Sequence, residues 1–124
     1  MGSINTTYDL SKDLTVVSAT GGLTANDFIT WEARCTSRTV TELILWDLLG
    51  ADLCNLSSDE IRMIATRTKG IAYVGKGGKI AFVLGKSCDF GVGRMLEAYN
   101  ETAEMPSEIR AFRSIDDAKK WLGI

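Results

Sequence analysis

The sequence contains no histidine, and this absence removes the commonest general base and a common metal ligand of proteins. Without an imidazole, a serine or cysteine lacks its usual means of activation as a nucleophile. Cys35, Cys54 and Cys88 form no CxxC pair, which excludes the usual zinc ligand sets. We therefore predict that the protein is not an enzyme, and that it holds no metal and no cofactor.

Three widely spaced cysteines are too few and too scattered for a disulfide framework. Free cysteine is commonly a small buried residue. We interpret these side chains as apolar residues of the core in a reducing compartment. The first residues also lack the charged and apolar segments of a signal peptide. These observations predict a cytoplasmic protein.

Long hydrophobic runs and a basic excess are also missing. The longest mainly apolar stretches, residues 43–49 and 80–84, fall far short of the ~20 residues that cross a membrane. We expect no transmembrane segment. The formal net charge of −2 lacks the basic footprint of a nucleic-acid partner. With 124 residues, a hydrophobic fraction of 45% and a single proline, the sequence predicts one globular domain over residues 1–124.

Hydrophobic patterning predicts strands alternating with helices in the order β-β-α-β-α-β-α-β-α. The predicted strands cover residues 4–10, 14–20, 43–47, 80–84 and 108–113. Gly21 and Gly22 are expected to break the second strand, Asp47 to close the third, and residues 49–56 to form a loop. The pattern indicates an α/β fold with four helices on a five-stranded mixed sheet, in which the N-terminal hairpin is antiparallel and the rest is parallel.

Polar side chains follow the predicted parallel strands, where α/β folds usually bind ligands. Helix N-termini at this edge attract anions, which hydroxyl and basic side chains could also contact. The candidate ligand or anion-binding residues are Ser57, Ser58, Lys86, Ser87, Arg94 and Arg113. Acidic residues in the same predicted loops oppose this hypothesis, because they would neutralise the local field. These are Asp47, Asp52, Asp59 and Asp89.

Gly91 and Gly93 stand in the first turns of a predicted helix, although glycine disfavours helix interiors by about 1 kcal/mol relative to alanine. One interpretation is close packing of this helix on the sheet. The other is that an anion approaches the helix N-terminus, with Arg94 as its counter-charge.

Several segments together resemble the small bacterial SpoIIAA-like proteins of the STAS superfamily (sulfate transporter and anti-sigma factor antagonist). They are Gly22–Thr24, Leu45–Leu48, Lys79–Val83, Phe90–Met95, Glu108–Arg113 and Trp121–Gly123. The resemblance implies the same mixed sheet. Anti-sigma antagonists carry a phosphorylatable serine at the start of the helix after the third strand, and Ser57 is the nearest match. Asn55 and Ser58 replace the aspartate and glycine of that motif. A plain helix cap is therefore the preferred interpretation of Ser57, and a phosphorylation site is the alternative.

Two functions remain open on the sequence alone. The first is a non-enzymatic binding or regulatory module that acts through a regulatory protein partner or through self-association. The alternative is a carrier of a small anionic or lipid-like ligand, bound at the strand ends or in an apolar pocket near Phe90 and Met95. A symmetric homodimer is expected, because Phe28, Trp31 and Met63 exceed what one buried helical stripe uses.

Overall fold

The computed structural model describes residues 2–9, 11–35, 41–71, 78–85, 91–95, 97–98 and 108–124, and the side chains within these ranges except for 32–35 and 65–71. Five strands lie in these residues: β1 (Ser3–Asp9), β2 (Leu14–Gly22), β3 (Leu43–Asp52), β4 (Lys79–Val83) and β5 (Glu108–Phe112). The helices are α1 (Ala25–Cys35), α2 (Ser58–Ile71), α3 (helical residues 91–95 and 97–98) and α4 (Ile115–Leu122).

The strands form one sheet in the order β1-β2-β3-β4-β5. β1 and β2 are antiparallel, and every later neighbouring pair is parallel. In the middle of the sheet, Trp46 of β3 pairs with Val17 of β2 and with Phe82 of β4. The predicted fold class, with its antiparallel hairpin and parallel remainder, is confirmed.

Two predicted strand ends are wrong, and one pairing explains both. β2 continues through Gly21 and Gly22, while β3 continues past Asp47 to Asp52, so that Gly22 pairs with Asp52. The register shifts between Ser18 and Thr20, and Gly21 adopts a positive φ of 78°. Glycine takes this conformation without steric cost, so the strand bends here but continues. Residues 49–52 are therefore strand, and the loop is confined to residues 53–57.

The sheet separates two apolar clusters. Side chains from α1, α2 and α3 pack on one face against Val17, Trp46 and Phe82. Ala118 and Leu122 of α4 pack on the other face. Successive strand residues alternate between the two faces. β3 consequently contributes Ile44 and Trp46 to the first cluster and Leu43 and Leu45 to the second. This arrangement confirms that the central apolar run is covered on both sides.

The hairpin turn between β1 and β2 is held by Asp9. Its carboxylate accepts hydrogen bonds from the backbone N–H of Ser11 at 3.2 Å and from the Ser11 hydroxyl at 2.6 Å. The hydrogen bond from the Ser11 side chain is the main cause that lowers the pKa of Asp9, and the charge of Lys12 adds to it. Asp13 completes the turn with a positive φ of 51°.

α4 docks through Trp121, which is only half-buried. Its ring lies 5.6 Å from that of Phe112, and Lys79 Nζ sits 5.1 Å from the ring centre. Lys79 Nζ also donates a hydrogen bond to the backbone oxygen of Trp121 at 3.1 Å. A lysine over an aromatic face is a favourable cation–π contact. The last helix is therefore fixed to β4 by a charged group as well as by apolar packing.

The two unusual glycines of α3 have different roles. A Cβ on Gly93 would lie 2.6 Å from a methyl group of Leu84 and 2.9 Å from the Cβ of Ala111. Such distances are too short for a carbon–carbon contact, so α3 approaches the sheet only because residue 93 lacks a side chain. A Cβ on Gly91 would meet no atom within 4 Å. Close packing therefore explains Gly93 and leaves Gly91 without that explanation.

We expect Gly93→Ala to destabilise the protein by about 1–3 kcal/mol, because overpacking forces neighbouring side chains to shift. Gly91→Ala is the matched control, since it adds the same methyl group to the same helix in open space. It should be neutral or stabilising by up to about 1 kcal/mol. Urea unfolding followed by circular dichroism measures both effects. An equal loss of stability in the two variants would contradict the close approach at Gly93.

Candidate functional site

The carboxyl ends of the parallel strands meet the starts of three helices. α1 follows β2, α2 follows β3 and α4 follows β5. Because these strands are mutually parallel, their carboxyl ends lie at the same edge of the sheet. α1 and α2 lie on one face and α4 on the other. The sheet thus divides the helix N-termini between two sides, with α1 and α2 together.

The loop between β3 and α2 is anchored where it leaves β3. The backbone oxygen of Asp52 accepts from the N–H of Leu23 at 3.0 Å, which ties the end of β3 to the entry of α1. The carboxylate of Asp52 accepts from the N–H of Cys54 at 3.0 Å. Leu53, only 2% exposed, inserts into the core. These contacts fix the position at which α2 begins.

Ser57 and Glu60 cap the N-terminus of α2 reciprocally. The Ser57 hydroxyl oxygen accepts from the N–H of Glu60 at 3.1 Å, and the Glu60 carboxylate accepts from the N–H of Ser57 at 3.0 Å. This capping box satisfies two backbone donors that the helix leaves unpaired. Ser57 and Ser58 are nevertheless exposed to solvent. Thr24 and Asp27 form the same arrangement at the start of α1.

Two of the three candidate basic residues, Arg94 and Arg113, already interact with other residues. Arg94 forms an ion pair with Glu97, with 3.0 Å between guanidinium nitrogen and carboxylate oxygen. Arg113 is exposed beside Ser114 and already interacts with another residue. Lys86 and Ser87 lie outside the described residues. The described part of the chain therefore brings Ser57 and Ser58 together, while Arg94 is engaged on α3.

The acidic residues expected in the loops are placed differently. Asp47 lies inside β3, where its carboxylate accepts from the N–H of Leu49 at 3.2 Å. Asp52 is the last residue of the same strand. The prediction that both acids belong to a loop is wrong, because β3 continues past a register shift and pairs with β2 again from Gly50 to Asp52. Asp89 lies outside the described residues, and Asp59 is exposed in the first turn of α2.

Cys54 differs from its predicted state. It is exposed and disulfide-bonded, so the interpretation of the cysteines as buried free thiols is wrong for this residue. The other two cysteines of the chain are Cys35 and Cys88, whose side chains lie outside the described ones. The short spacing between Cys54 and Ser57 places this covalent tie at the same loop as the α2 cap.

An apolar cleft lies beneath α1 and α2, on the face of the sheet that they cover. Its empty volume is about 410 Å³, and this volume includes space that is open to solvent. The cleft itself has room for about one water molecule. Its lining is apolar throughout: Phe28, Trp46, Leu48, Leu53, Leu56, Ile61, Ile64, Phe82, Leu84 and Val92. The sequence predicted a pocket near Phe90 and Met95. Phe90 lies outside the described residues, and Met95 packs against the core without lining the cleft.

Aromatic rings form one wall of the cleft. The ring of Trp46 lies 5.7 Å from that of Phe28 and 5.8 Å from that of Phe82. Trp31 meets Trp46 edge-on at 4.7 Å and donates a hydrogen bond through Nε1 to the Thr6 hydroxyl at 2.8 Å. Phe28 and Trp31 thus pack against the core, and they do not supply the exposed helical surface on which the expected homodimer was based.

Among the described residues, no three acidic or cysteine side chains are grouped as a metal ion requires, and no helix is long and apolar enough to cross a membrane.

Neither a protein-family model nor a curated protein sequence matches the chain. Solved structures do. An anti-sigma factor antagonist from Mycobacterium paratuberculosis superposes with a TM-score of 0.63 at 14% identity, covering 100% of this chain and 96% of the other. An uncharacterized protein with a SpoIIAA-like fold from Shewanella loihica PV-4 gives a TM-score of 0.57 at 18% identity, covering 98% of this chain and 93% of the other. The chain has the SpoIIAA-like fold.

The SpoIIAA-like fold is the fold that the resemblance implied, and in this chain α2 is the element that follows the third strand. The two functional features that the sequence did not identify are the cleft and the disulfide at Cys54. The apolar periodicity of α1 and α2 marks Phe28, Ile61 and Ile64 as buried but does not indicate that they leave space between them. No local signal distinguishes a paired cysteine from a free one.

We expect Ser57→Ala to destabilise the SpoIIAA-like domain by about 0.5–2 kcal/mol, because Glu60 loses the acceptor for its N–H. Ser58→Ala is the control, since it removes a neighbouring exposed hydroxyl in the first turn of the helix itself. It should change stability by less than about 0.5 kcal/mol. Equilibrium unfolding in urea measures both, and equal effects would show that Ser57 does not cap α2.

Proposed function

We propose that the protein is a non-enzymatic regulatory module that binds a protein partner through the surface around the N-terminus of α2. The observation that carries the proposal is the exposure of Ser57 at this helix start, directly after the third strand of a SpoIIAA-like fold. One solved structure of this fold is an anti-sigma factor antagonist. The partner class we propose is accordingly an anti-sigma factor.

Phosphorylation of Ser57 is the proposed control of this interaction. A kinase would transfer the γ-phosphoryl group of ATP to the Ser57 oxygen, with release of ADP and of the hydroxyl proton. The product carries a charge of about −1.5 to −2 at a helix N-terminus, which favours anions. The Glu60 carboxylate, 3.0 Å from the Ser57 nitrogen, would then face a second anionic group. Repulsion between the two displaces Glu60 and changes the surface that a partner contacts.

The test measures binding of the purified anti-sigma factors of the organism that encodes this chain, by isothermal titration calorimetry. We expect one of them to bind the unmodified protein, and Ser57→Asp to weaken that binding by about tenfold or more through its added charge. Aspartate caps helices as well as serine does, so the fold should be retained.

Ser114→Asp is the matched control. Ser114 caps α4 by accepting from the N–H of Asp117, but α4 lies on the opposite face of the sheet from α2. The same substitution there should leave partner binding unchanged. The absence of binding by every anti-sigma factor tested would overturn the proposal, and equal weakening by both variants would overturn the assignment of the surface.

The apolar cleft supports a second candidate function, that of a carrier for a lipid-like ligand. Its lining offers no charged group, so the chemistry it suits is a hydrocarbon chain. A ligand larger than water has to displace Leu56 or Phe28, which are both half-buried at the cleft. Leu53 and Leu56 also belong to the loop that precedes Ser57, so occupancy of the cleft would reach the α2 N-terminus.

Decanol and decanoate are suitable probes, because they share an apolar tail and differ in charge. We expect both to shift amide signals of residues 53–64 in an NMR titration. Leu56→Trp should abolish the shifts by filling the cleft. Leu49→Trp is the control, since Leu49 is 45% exposed and does not line the cleft. Shifts with decanoate alone would indicate an anion site instead, and no shifts with either probe would exclude the carrier function.

A further inference from the structure

The two outer strands of the sheet differ in how their free edges are covered. On β5, the backbone N–H of Ala111 donates to the carboxylate of Glu97 on α3. Glu97 also pairs with Arg94 and is only 13% exposed. The Glu97 carboxylate thus accepts from a backbone N–H that would otherwise be free to pair with another strand. This edge is protected against pairing.

β1 forms the opposite edge and has no such cover among the described residues. It pairs with β2 on one side in an uninterrupted register from Ser3 to Asp9. Its other side is bonded to no described strand, helix or side chain. Residues 3–8 contain no charge and no proline, which are two of the features by which edge strands resist pairing. The sequence Ile-Asn-Thr-Thr-Tyr is instead rich in strand-forming residues.

An exposed aromatic side chain lies on this edge strand. Tyr8 is 38% exposed, and it shares the α1 face of the sheet with the half-buried Ile4 and Thr6. On that face, the Thr6 hydroxyl accepts a hydrogen bond from Trp31 Nε1. Asn5 and Thr7 point to the opposite face and are exposed. The strand therefore presents Ile4, Thr6 and Tyr8 on one face. The other face carries Ser3, Asn5, Thr7 and, at the hairpin end, the charged Asp9.

We propose that β1 is the interface through which a second copy of this chain binds, by antiparallel strand pairing about a twofold axis at Thr6. This register uses the whole strand. It places Ile4 opposite Tyr8 of the second copy, and Asn5 opposite Thr7 of the second copy. Directly opposed side chains have their Cβ atoms about 4.5–5.5 Å apart, within contact distance for both pairs. The result is a continuous sheet through both copies.

The charges of the strand agree with this register. Asp9 is the only charged residue of β1, and the register places it opposite Ser3 of the second copy. At a rise of about 3.4 Å per residue, the two Asp9 carboxylates lie about 20 Å apart. Pairing near the hairpin end would bring them face to face. The full-length register therefore joins two copies without opposing like charges.

This interface goes beyond the proposed regulatory function and does not depend on it. It lies at β1, whereas the proposed partner surface surrounds Ser57 after β3. Failure of either proposal leaves the other standing, because one is tested by the mass of the purified protein alone and the other by its binding to an anti-sigma factor.

Sedimentation equilibrium of the full chain tests the interface. We expect the wild type to be a dimer at high micromolar concentration. The pair Asn5→Lys/Thr7→Lys places lysine opposite lysine at two sites, and it should weaken dimerisation by about tenfold or more. The pair Asn5→Glu/Thr7→Glu should do the same. An equimolar mixture should restore the dimer, since each lysine then faces a glutamate.

Glu108→Lys is the matched control, because it changes the net charge by as much as the lysine pair but lies on the opposite edge of the sheet. It should leave dimerisation unchanged. Circular dichroism and melting midpoints of all variants establish that they fold. The equimolar mixture of the lysine and glutamate variants tests the interface even where each variant alone is less stable than the wild type. A monomeric wild type, a dimer insensitive to both pairs, or a mixture that fails to restore the dimer would each overturn the proposal.

Discussion

The burial of β3 on both of its faces is the constraint on which the rest of the molecule depends. Ile44 and Trp46 face α1 and α2, while Leu43 and Leu45 face the side of α4. A strand in this position must be apolar throughout, and it requires helices on both sides. Trp46 contacts Phe28, Trp31 and Phe82, so α1 and two strands are positioned around a single ring. Apolar burial of this kind is the dominant favourable term in folding.

The same strand determines where the functional features lie. β3 extends to Asp52 because it pairs with the bent end of β2, and the loop that follows is consequently short. Leu53 and Leu56 fill the end of the core, and Ser57 then caps α2 at the surface. The exposed serine and part of the lining of the apolar cleft therefore belong to the same loop between β3 and α2. A ligand in the cleft and a partner at Ser57 would act on the same few residues.

The two edges of the sheet, β5 and β1, differ in whether their outer backbone groups are covered. Glu97 accepts from the free N–H of Ala111 on β5, whereas the outer edge of β1 has no described partner and no charge from Ser3 to Tyr8. The homodimer expected from the sequence was based on Phe28, Trp31 and Met63, of which the structure places Phe28 and Trp31 against the core. Among the described residues, the exposed large apolar side chains are instead Leu49 on β3 and Tyr8 on the edge strand.

Local sequence determined the features that depend on neighbouring residues. Ser57 with Glu60, Thr24 with Asp27, and Ser114 with Asp117 act within one helical turn, so their caps follow from spacing alone. The apolar run at residues 43–46 likewise identified the central strand. Only the tertiary structure decided the extension of β3, the cleft, the contact between Gly93 and Leu84, and the cover that Glu97 provides for β5. Each of these joins segments that are distant in the chain, and their meeting depends on how the helices pack on the sheet rather than on the pattern within any one segment.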